Sequence, residues 1–229
     1  MLLDKINRLR GAGLKTRLLH PHDELMERWL GVRTTGWRPH VGDERDPGWR
    51  VEYLPSSYAV LRRVLRRVSL GPDDVFVDLG SGMGRAVFGA SWLGAGRAVG
   101  VEIDPALVAI ARTNLARSRL QDRQIEFVEG GAESYLQDQS TVIFLFNPFG
   151  VGTLAAVARQ IEDGLKKNPR NLRIAYVNPF YASTLDALPC LEPIDHWDDH
   201  QERRGLFSRW LPAGGWGARF WRSVGSSRG

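Results

Sequence analysis

The residues best suited to chemistry lie in Val77-Asp78-Leu79-Gly80-Ser81-Gly82-Met83-Gly84-Arg85. An apolar run ends in an acid and then in three alternating glycines. Glycine admits backbone torsions closed to other residues and lets a ligand approach the main chain. The Asp78 carboxylate can hold loop amides or accept from a ligand ammonium. A second acid, Glu102, closes the next apolar run, Val99-Gly100-Val101-Glu102. A carboxylate at such a strand end can accept both hydroxyls of a ribose. Strand, glycine loop, helix, strand and acid together make a nucleoside-binding unit. The spacing departs from the dinucleotide pattern G-x-G-x-x-G at Arg85, and no G-K-[ST] follows to make a phosphate-binding Walker loop.

Two further groups carry polar chemistry. Asn147-Pro148-Phe149 and Asn178-Pro179-Phe180 each follow an apolar run, which predicts two strands ending in similar turns at one sheet edge. In Asp195-His196-Trp197-Asp198-Asp199-His200, the histidines at i and i+4 would share a face if the segment were helical. Metal binding, a general base and an exposed turn all fit that stretch. No metal-site pattern matches, so no metal is assigned.

The elements that position these residues follow from hydrophobic spacing. Ser57–Val68 has helical periodicity, Val75–Leu79 reads as a buried strand, and Met83–Leu93 as a helix. Ala98–Val101 is a second strand, and Pro105 opens a helix reaching Ser118. Strands at Ile125–Val128, Val142–Phe146 and Leu172–Val177 alternate with helices at Glu133–Gln137 and Leu154–Leu165. Such alternation predicts an α/β, Rossmann-like, doubly wound and mostly parallel sheet. Leu206–Leu211 and Ala218–Val224, joined by Pro212-Ala213-Gly214-Gly215, predict a C-terminal antiparallel hairpin, for about seven strands in all. Residues 1–50 read as a short N-terminal helical arm or lid, too polar to build a core, and residues 51–229 as the main domain.

The chain has 229 residues, 43% hydrophobic and 25% charged, which excludes a wholly disordered or collagen-like class. A single cysteine, Cys190, excludes an internal disulfide framework and suits a reducing compartment. Thr141–Ala158 carries no charge over 18 residues, but Asn147, Pro148, Gly150 and Gly152 interrupt it, so no membrane span is expected. A soluble, cytoplasmic chain is the expectation. The net charge of +5 gathers in Lys5–Arg17, in Arg62, Arg63, Arg66 and Arg67, and toward the C-terminus. A solvated basic surface explains this; a polyanion site is the alternative. Nothing in the sequence fixes an oligomeric state.

Residues 75–177 resemble the class I S-adenosylmethionine-dependent methyltransferases through FVDLGSGMGRA and VGVEIDP. The stretch from EYLPSSY through VGVE, with VIFLFNPFG, is similar to two groups. One is a set of bacterial methyltransferases with a GV-x-T-x-G segment, here Gly31–Gly36; the other is the catalytic core of the non-SET histone-lysine methyltransferases. The resemblance spans roughly residues 25–180. It implies S-adenosylmethionine as cofactor, with Asp78, Gly80, Ser81, Gly82 and Gly84 beneath its methionine and ribose. It puts Glu102 on the ribose hydroxyls and Ile103 against the adenine. Relatives carry Gly-Asp-Ala where this chain has Gly130-Gly131-Ala132. Gly131 therefore replaces the acid that receives the adenine amine, leaving Glu133, Glu129 or a backbone carbonyl to serve. Tyr53 and Ser56 are implied to close over the cofactor; helix capping by Ser56 or Ser57, with Tyr53 in the core, is the alternative.

Asn147 is implied to touch the cofactor and to orient the acceptor, against the alternative of a simple turn after a strand. The motif departs from Asn-Pro-Pro-Tyr at Phe149 and Gly150, so nitrogen, oxygen and carbon acceptors stay open. The two Asn-Pro-Phe turns, Tyr53 and Tyr181 are expected to line the acceptor pocket. A small-molecule acceptor leads, because the arm is short and no appended recognition domain is visible. A nucleic-acid or protein acceptor on the basic surface is the alternative. A nicotinamide oxidoreductase and a non-catalytic binding module are the competing classes.

Overall fold

The computed structural model describes residues 21–36, 55–135, 139–146, 148–198 and 217–225. Tyr53, Asn147, His200 and the segment 206–211 lie outside these. Seven strands, β1 (Val75–Leu79), β2 (Arg97–Glu102), β3 (Ile125–Glu129), β4 (Val142–Phe146), β5 (Arg173–Val177), β6 (Leu191–Asp198) and β7 (Gly217–Ser223), form one sheet. Their order is β3-β2-β1-β4-β5-β7-β6. The first five are parallel, and β7 runs antiparallel to both of its neighbours.

The inner strands are nearly continuous apolar runs because helices cover both sheet faces. Alternation within β1 divides the core. Phe76 packs with α2 (Tyr58–Arg67), α3 (Arg85–Trp92) and α4 (Pro105–Arg117) on one side. Val77 and Leu79 pack with α5 (Val151–Lys167) and α6 (Ala182–Asp186) on the other. The chain leaves β1 toward β2 and β3, then returns to β4 on the opposite side of β1. This reversal opens a crevice at the carboxyl ends of β1 and β4, where open α/β sheets bind ligands.

Local signals set the helix starts. Ser57 caps α2, its hydroxyl accepting from Val60 N–H at 3.2 Å. Asp104 caps α4 through Ala106 N–H at 2.8 Å, with Pro105 in the first turn. α3 has no side-chain cap: it starts from Gly84, at φ +91°. A further helix, α1 (residues 21–30), ends at Gly31. The described part of the arm packs into the core, burying Leu30, Val32 and Thr34.

The C-terminal hairpin differs from the expected one. Besides β5, β7 pairs antiparallel with Leu191–Asp198, an edge strand that tolerates Pro193 at an irregularity in the pairing. His196 therefore lies on a strand rather than a helix, and the i, i+4 face expected for the histidines does not form there. The short helix expected at 133–137 is a single 3-10 turn, Ala132–Ser134, within the described residues. No helix among the described residues is long and apolar enough to cross a membrane.

Candidate functional site

The glycine loop is fixed from beneath by β2. The N–H groups of Gly80 and Ser81 both donate to the Val101 carbonyl, at 2.8 and 3.0 Å, and Gly84 N–H donates to the Ser81 carbonyl at 2.9 Å. Glu102 holds the top of the loop: Oε2 accepts from Gly82 N–H at 2.8 Å and Oε1 from Asp104 N–H at 2.9 Å. One carboxylate thus ties the loop to the start of α4, and each oxygen keeps a lone pair for a ligand hydroxyl.

Two glycines are required by space as well as by torsion. At Gly80, φ +84°, an added Cβ would lie 2.4 Å from the Pro148 Cβ. At Gly84 it would lie 2.6 Å from the Phe127 ring. Pro148 therefore sets the turn after β4 directly against the loop after β1. Gly82 also has positive φ, +55°.

The site is electrically unbalanced. Asp78 is 4% exposed, and its carboxyl is held well above the usual carboxylate range, first by burial and then by the Glu102 charge. Burial also raises Glu102, with the backbone donors of Asp104 and Gly82 opposing it. The guanidinium nearest in sequence, Arg85, turns away toward α1. Ser81 Oγ is buried and has no hydrogen-bond partner among the described residues. Two carboxyls that resist ionisation and an orphaned hydroxyl suit a ligand carrying both a cation and hydroxyl groups.

Ile103 is 44% exposed beside Glu102, an apolar surface open to a flat ring. Gly130 N–H donates to the Glu102 carbonyl at 2.9 Å, which brings Gly131 and Ala132 to the same edge. A Cβ added at Gly131 would meet the Glu133 carboxylate, 2.5 Å from Oε1. Glu133 therefore occupies the volume that a side chain at position 131 would take. Ser56 is buried, and Ser57 rather than Ser56 caps α2; the Ser56 carbonyl faces Arg85 Nη1 at 3.5 Å.

The second Asn-Pro-Phe turn lies at the same sheet edge. Asn178 has φ +52° and its N–H donates to the Gly217 carbonyl at 2.7 Å, while Phe180 is 68% exposed. Beside it, Pro179, Asp195, Trp197 and Arg219 line a cavity of about 590 Å³. This cavity is lined mostly by β6 and β7, beyond the carboxyl end of β5, and β7 is two strand positions or roughly 10 Å from β4. Sequence reasoning missed it because β6 is polar and interrupted by proline. It also missed the buried partners of Arg85; their signal was the acid pair Asp23 and Glu27 at helical spacing.

The chain matches the family described as Histone methylation protein DOT1 over residues 52–184, more than half its length. It is 30% identical over 112 residues to an H3 lysine-79 specific histone-lysine N-methyltransferase of Cryptococcus neoformans, covering 44% of this chain and 17% of the relative. It is 31% identical over 142 residues to a ribosomal protein L11 methyltransferase of Pelotomaculum thermopropionicum, covering 56% of this chain and 46% of the relative. The chain thus spans less than half of either relative. The fold is shared with an RNA methyltransferase from Salinibacter ruber solved with S-adenosyl-L-homocysteine. That likeness has a TM-score of 0.52 and 24% identity, and covers 74% of this chain and 93% of the other. A glycine loop locked by a strand-end acid, set in a sheet of this order and matched over residues 52–184, places the chain in the DOT1 histone methylation protein family.

Proposed function

We propose that the chain is an S-adenosylmethionine-dependent methyltransferase whose acceptor is an amine on a protein. The observation that carries the cofactor reading is the cradle itself: Gly80–Gly84 pinned by Glu102, over a buried Asp78 with no facing cation among the described residues. When bound, the cofactor supplies an activated methyl group on a sulfonium. Asp78 and Glu102 balance the positive charge of its methionine end and hold its ribose hydroxyls. Ser81 Oγ gains the partner it lacks. Ile103 and Ala132 flank the adenine, and Glu133 receives its amine in place of the acid that Gly131 replaces.

The acceptor side rests on the turn after β4. Asn147, which follows Phe146 and precedes Pro148, directs the amine lone pair at the methyl group through its side-chain carbonyl. Holding donor and acceptor in attack geometry is worth roughly 7–11 kcal/mol. The neutral amine is the form that attacks: its ammonium would first give a proton to solvent, and the Asn147 carbonyl would then orient the lone pair by accepting a remaining N–H. Two relatives named for protein acceptors draw the reading toward a protein amine, away from the small molecule expected from the sequence. Residues 51–229 form the methyltransferase domain in this reading, with residues 1–50 as its N-terminal arm, whose described part packs into the core. Tyr53 and Ser56 close over the cofactor, and the lone Cys190 suits a cytoplasmic setting.

Calorimetric titration with S-adenosylhomocysteine and with NAD is the first test; binding of NAD alone would overturn the reading. Methyl transfer from labelled donor into a fractionated lysate then separates the acceptors. Label in protein that survives nuclease and is found on lysine supports the amine; label confined to RNA or to small molecules overturns it.

A further inference from the structure

We propose that Arg85 is a positioning residue for cofactor binding, which clasps the arm and the Ser56 segment to the exit of the glycine loop. The proposal rests on the reading of that loop as a cofactor cradle.

Arg85 is the first residue of α3, directly after Gly84, and is 5% exposed. All five guanidinium N–H groups have acceptors. Nε donates to Thr34 Oγ1 at 2.7 Å, and Nη2 to Glu27 Oε1 at 2.8 Å and Thr35 Oγ1 at 2.6 Å. Nη1 points to Asp23 Oδ2 at 3.2 Å and to the Ser56 carbonyl at 3.5 Å. The guanidinium also lies 5.4 Å from the centre of the Tyr58 ring. Its acceptors are themselves tied. Asp23 Oδ1 accepts from Tyr58 N–H at 3.0 Å, and Glu27 Oε1 accepts from Thr34 N–H at 2.8 Å.

A second clasp holds the same stretch to the loop. Asn114 of α4, fully buried, accepts from Arg33 N–H at 3.0 Å and donates to the Arg33 carbonyl at 2.9 Å. Its amide also reaches the Met83 carbonyl at 3.4 Å. Residues 33–35 are therefore fastened to both Met83 and Arg85.

The loop needs such restraint. Its three glycines are intrinsically permissive, so their torsions must be set from outside. Val101 fixes the entry and Glu102 the middle. The exit is fixed by Arg85, whose planar fork gives direction that a lysine or an apolar side chain cannot supply. A buried ion cluster is a poor device for stability alone, since apolar residues of like volume serve as well or better. Its place at the loop exit, with acceptors drawn from three separate segments, points to positioning.

The test compares ligand-free amide exchange at Gly82 and Gly84 with S-adenosylhomocysteine affinity. Arg85→Lys keeps the positive charge beside Asp23 and Glu27 but loses the fork. It should raise Kd by about tenfold, and exchange at Gly82 and Gly84 should quicken by a similar factor of about ten. Val157→Ala, on α5 across the sheet, lowers the melting temperature without touching the clasp, and should leave both readings at wild type. Thr35→Val, at an exposed position, secures the test if Arg85→Lys does not fold; it should weaken binding about threefold. Wild-type exchange at Gly82 and Gly84 in the folded Arg85 or Thr35 variant overturns the proposal. So does equal quickening in Val157→Ala. Failure of the wild-type protein to bind S-adenosylhomocysteine sinks the cofactor reading instead, and the exchange comparison still judges the clasp.

Discussion

Replacing Glu102 by glutamine separates the two tasks assigned to its carboxylate. In the ligand-free protein that carboxylate accepts from Gly82 and Asp104 N–H at 2.8 and 2.9 Å. Glutamine keeps one acceptor oxygen and turns its NH₂ against the other donor, which costs about 1–3 kcal/mol for the orphaned N–H. Against this stands relief: burial holds the Glu102 carboxyl above its usual range, so the neutral amide removes a charge that folding disfavours. The two effects oppose each other, and the melting temperature should change by only a few degrees. Ligand binding has no such offset. Each ribose hydroxyl loses a charge-assisted hydrogen bond worth about 1.5–3 kcal/mol, so Kd should rise at least about tenfold for one bond and more for two. Titration calorimetry with S-adenosylhomocysteine, alongside thermal melts, measures both quantities. A Kd within threefold of wild type would refute the assignment of Glu102 to the ribose. A fall in melting temperature that tracks the loss of affinity would show that the residue only shapes the loop.

Gly80→Ala forces a positive φ on alanine, about 1–2 kcal/mol, and drives its Cβ into Pro148. It should lower the melting temperature and abolish stabilisation by S-adenosylhomocysteine in the same melts. The Asp78 carboxyl is raised in the folded state, so its contribution to stability is full below the unfolded carboxylate range and is lost as pH rises through the folded value. Ligand-free wild type should therefore lose stability with rising pH relative to Asp78→Asn, and bound S-adenosylhomocysteine should shrink the difference. A parallel pair of pH–melting curves would contradict this. Asn147→Ala should cut methyl transfer while leaving cofactor Kd within about threefold, read by single-turnover transfer once an acceptor is in hand. Deleting residues 1–36 strips Arg85 of its acid partners, a loss of about 3–5 kcal/mol for a broken buried pair, and should give an aggregating protein by light scattering.

The parallel half of the sheet was legible because its strands are short apolar runs separated by helical spacing and by Pro105 and the glycine loop. Asp78 and the three glycines are contiguous in sequence, and the parallel pairing of β1 with β2 brings Glu102 at the next strand end to the same loop. What escaped were features joined only through space. The Arg85 clasp draws on Asp23, Glu27, Thr34 and Ser56, and polarity alone made the arm look detached from the core. β6 escaped for another reason: Leu191–Asp198 is an edge strand, with neither the alternation of a half-buried strand nor freedom from proline. The exchange of Asp for Gly131 was visible as a departure, but the position of the Glu133 carboxylate, over the place of a Gly131 side chain, is a matter of side-chain conformation.

The sheet order has a consequence for how the chain is made. β7 lies between β5 and β6, although it is synthesised after both. While the ribosome is still adding residues beyond β6, β5 presents the open edge Arg173-Ile174-Ala175-Tyr176-Val177, and β6 has no strand to join. Both wait for Gly217–Ser223 to arrive and fill the gap. Until then the exposed edge of β5 is a template for pairing with other nascent chains. The final assembly step thus depends on a seven-residue strand near the end of the sequence. A stop codon or protease cut just before residue 217 would leave β5 paired on one side only and β6 without its partner, marking the product for aggregation or degradation.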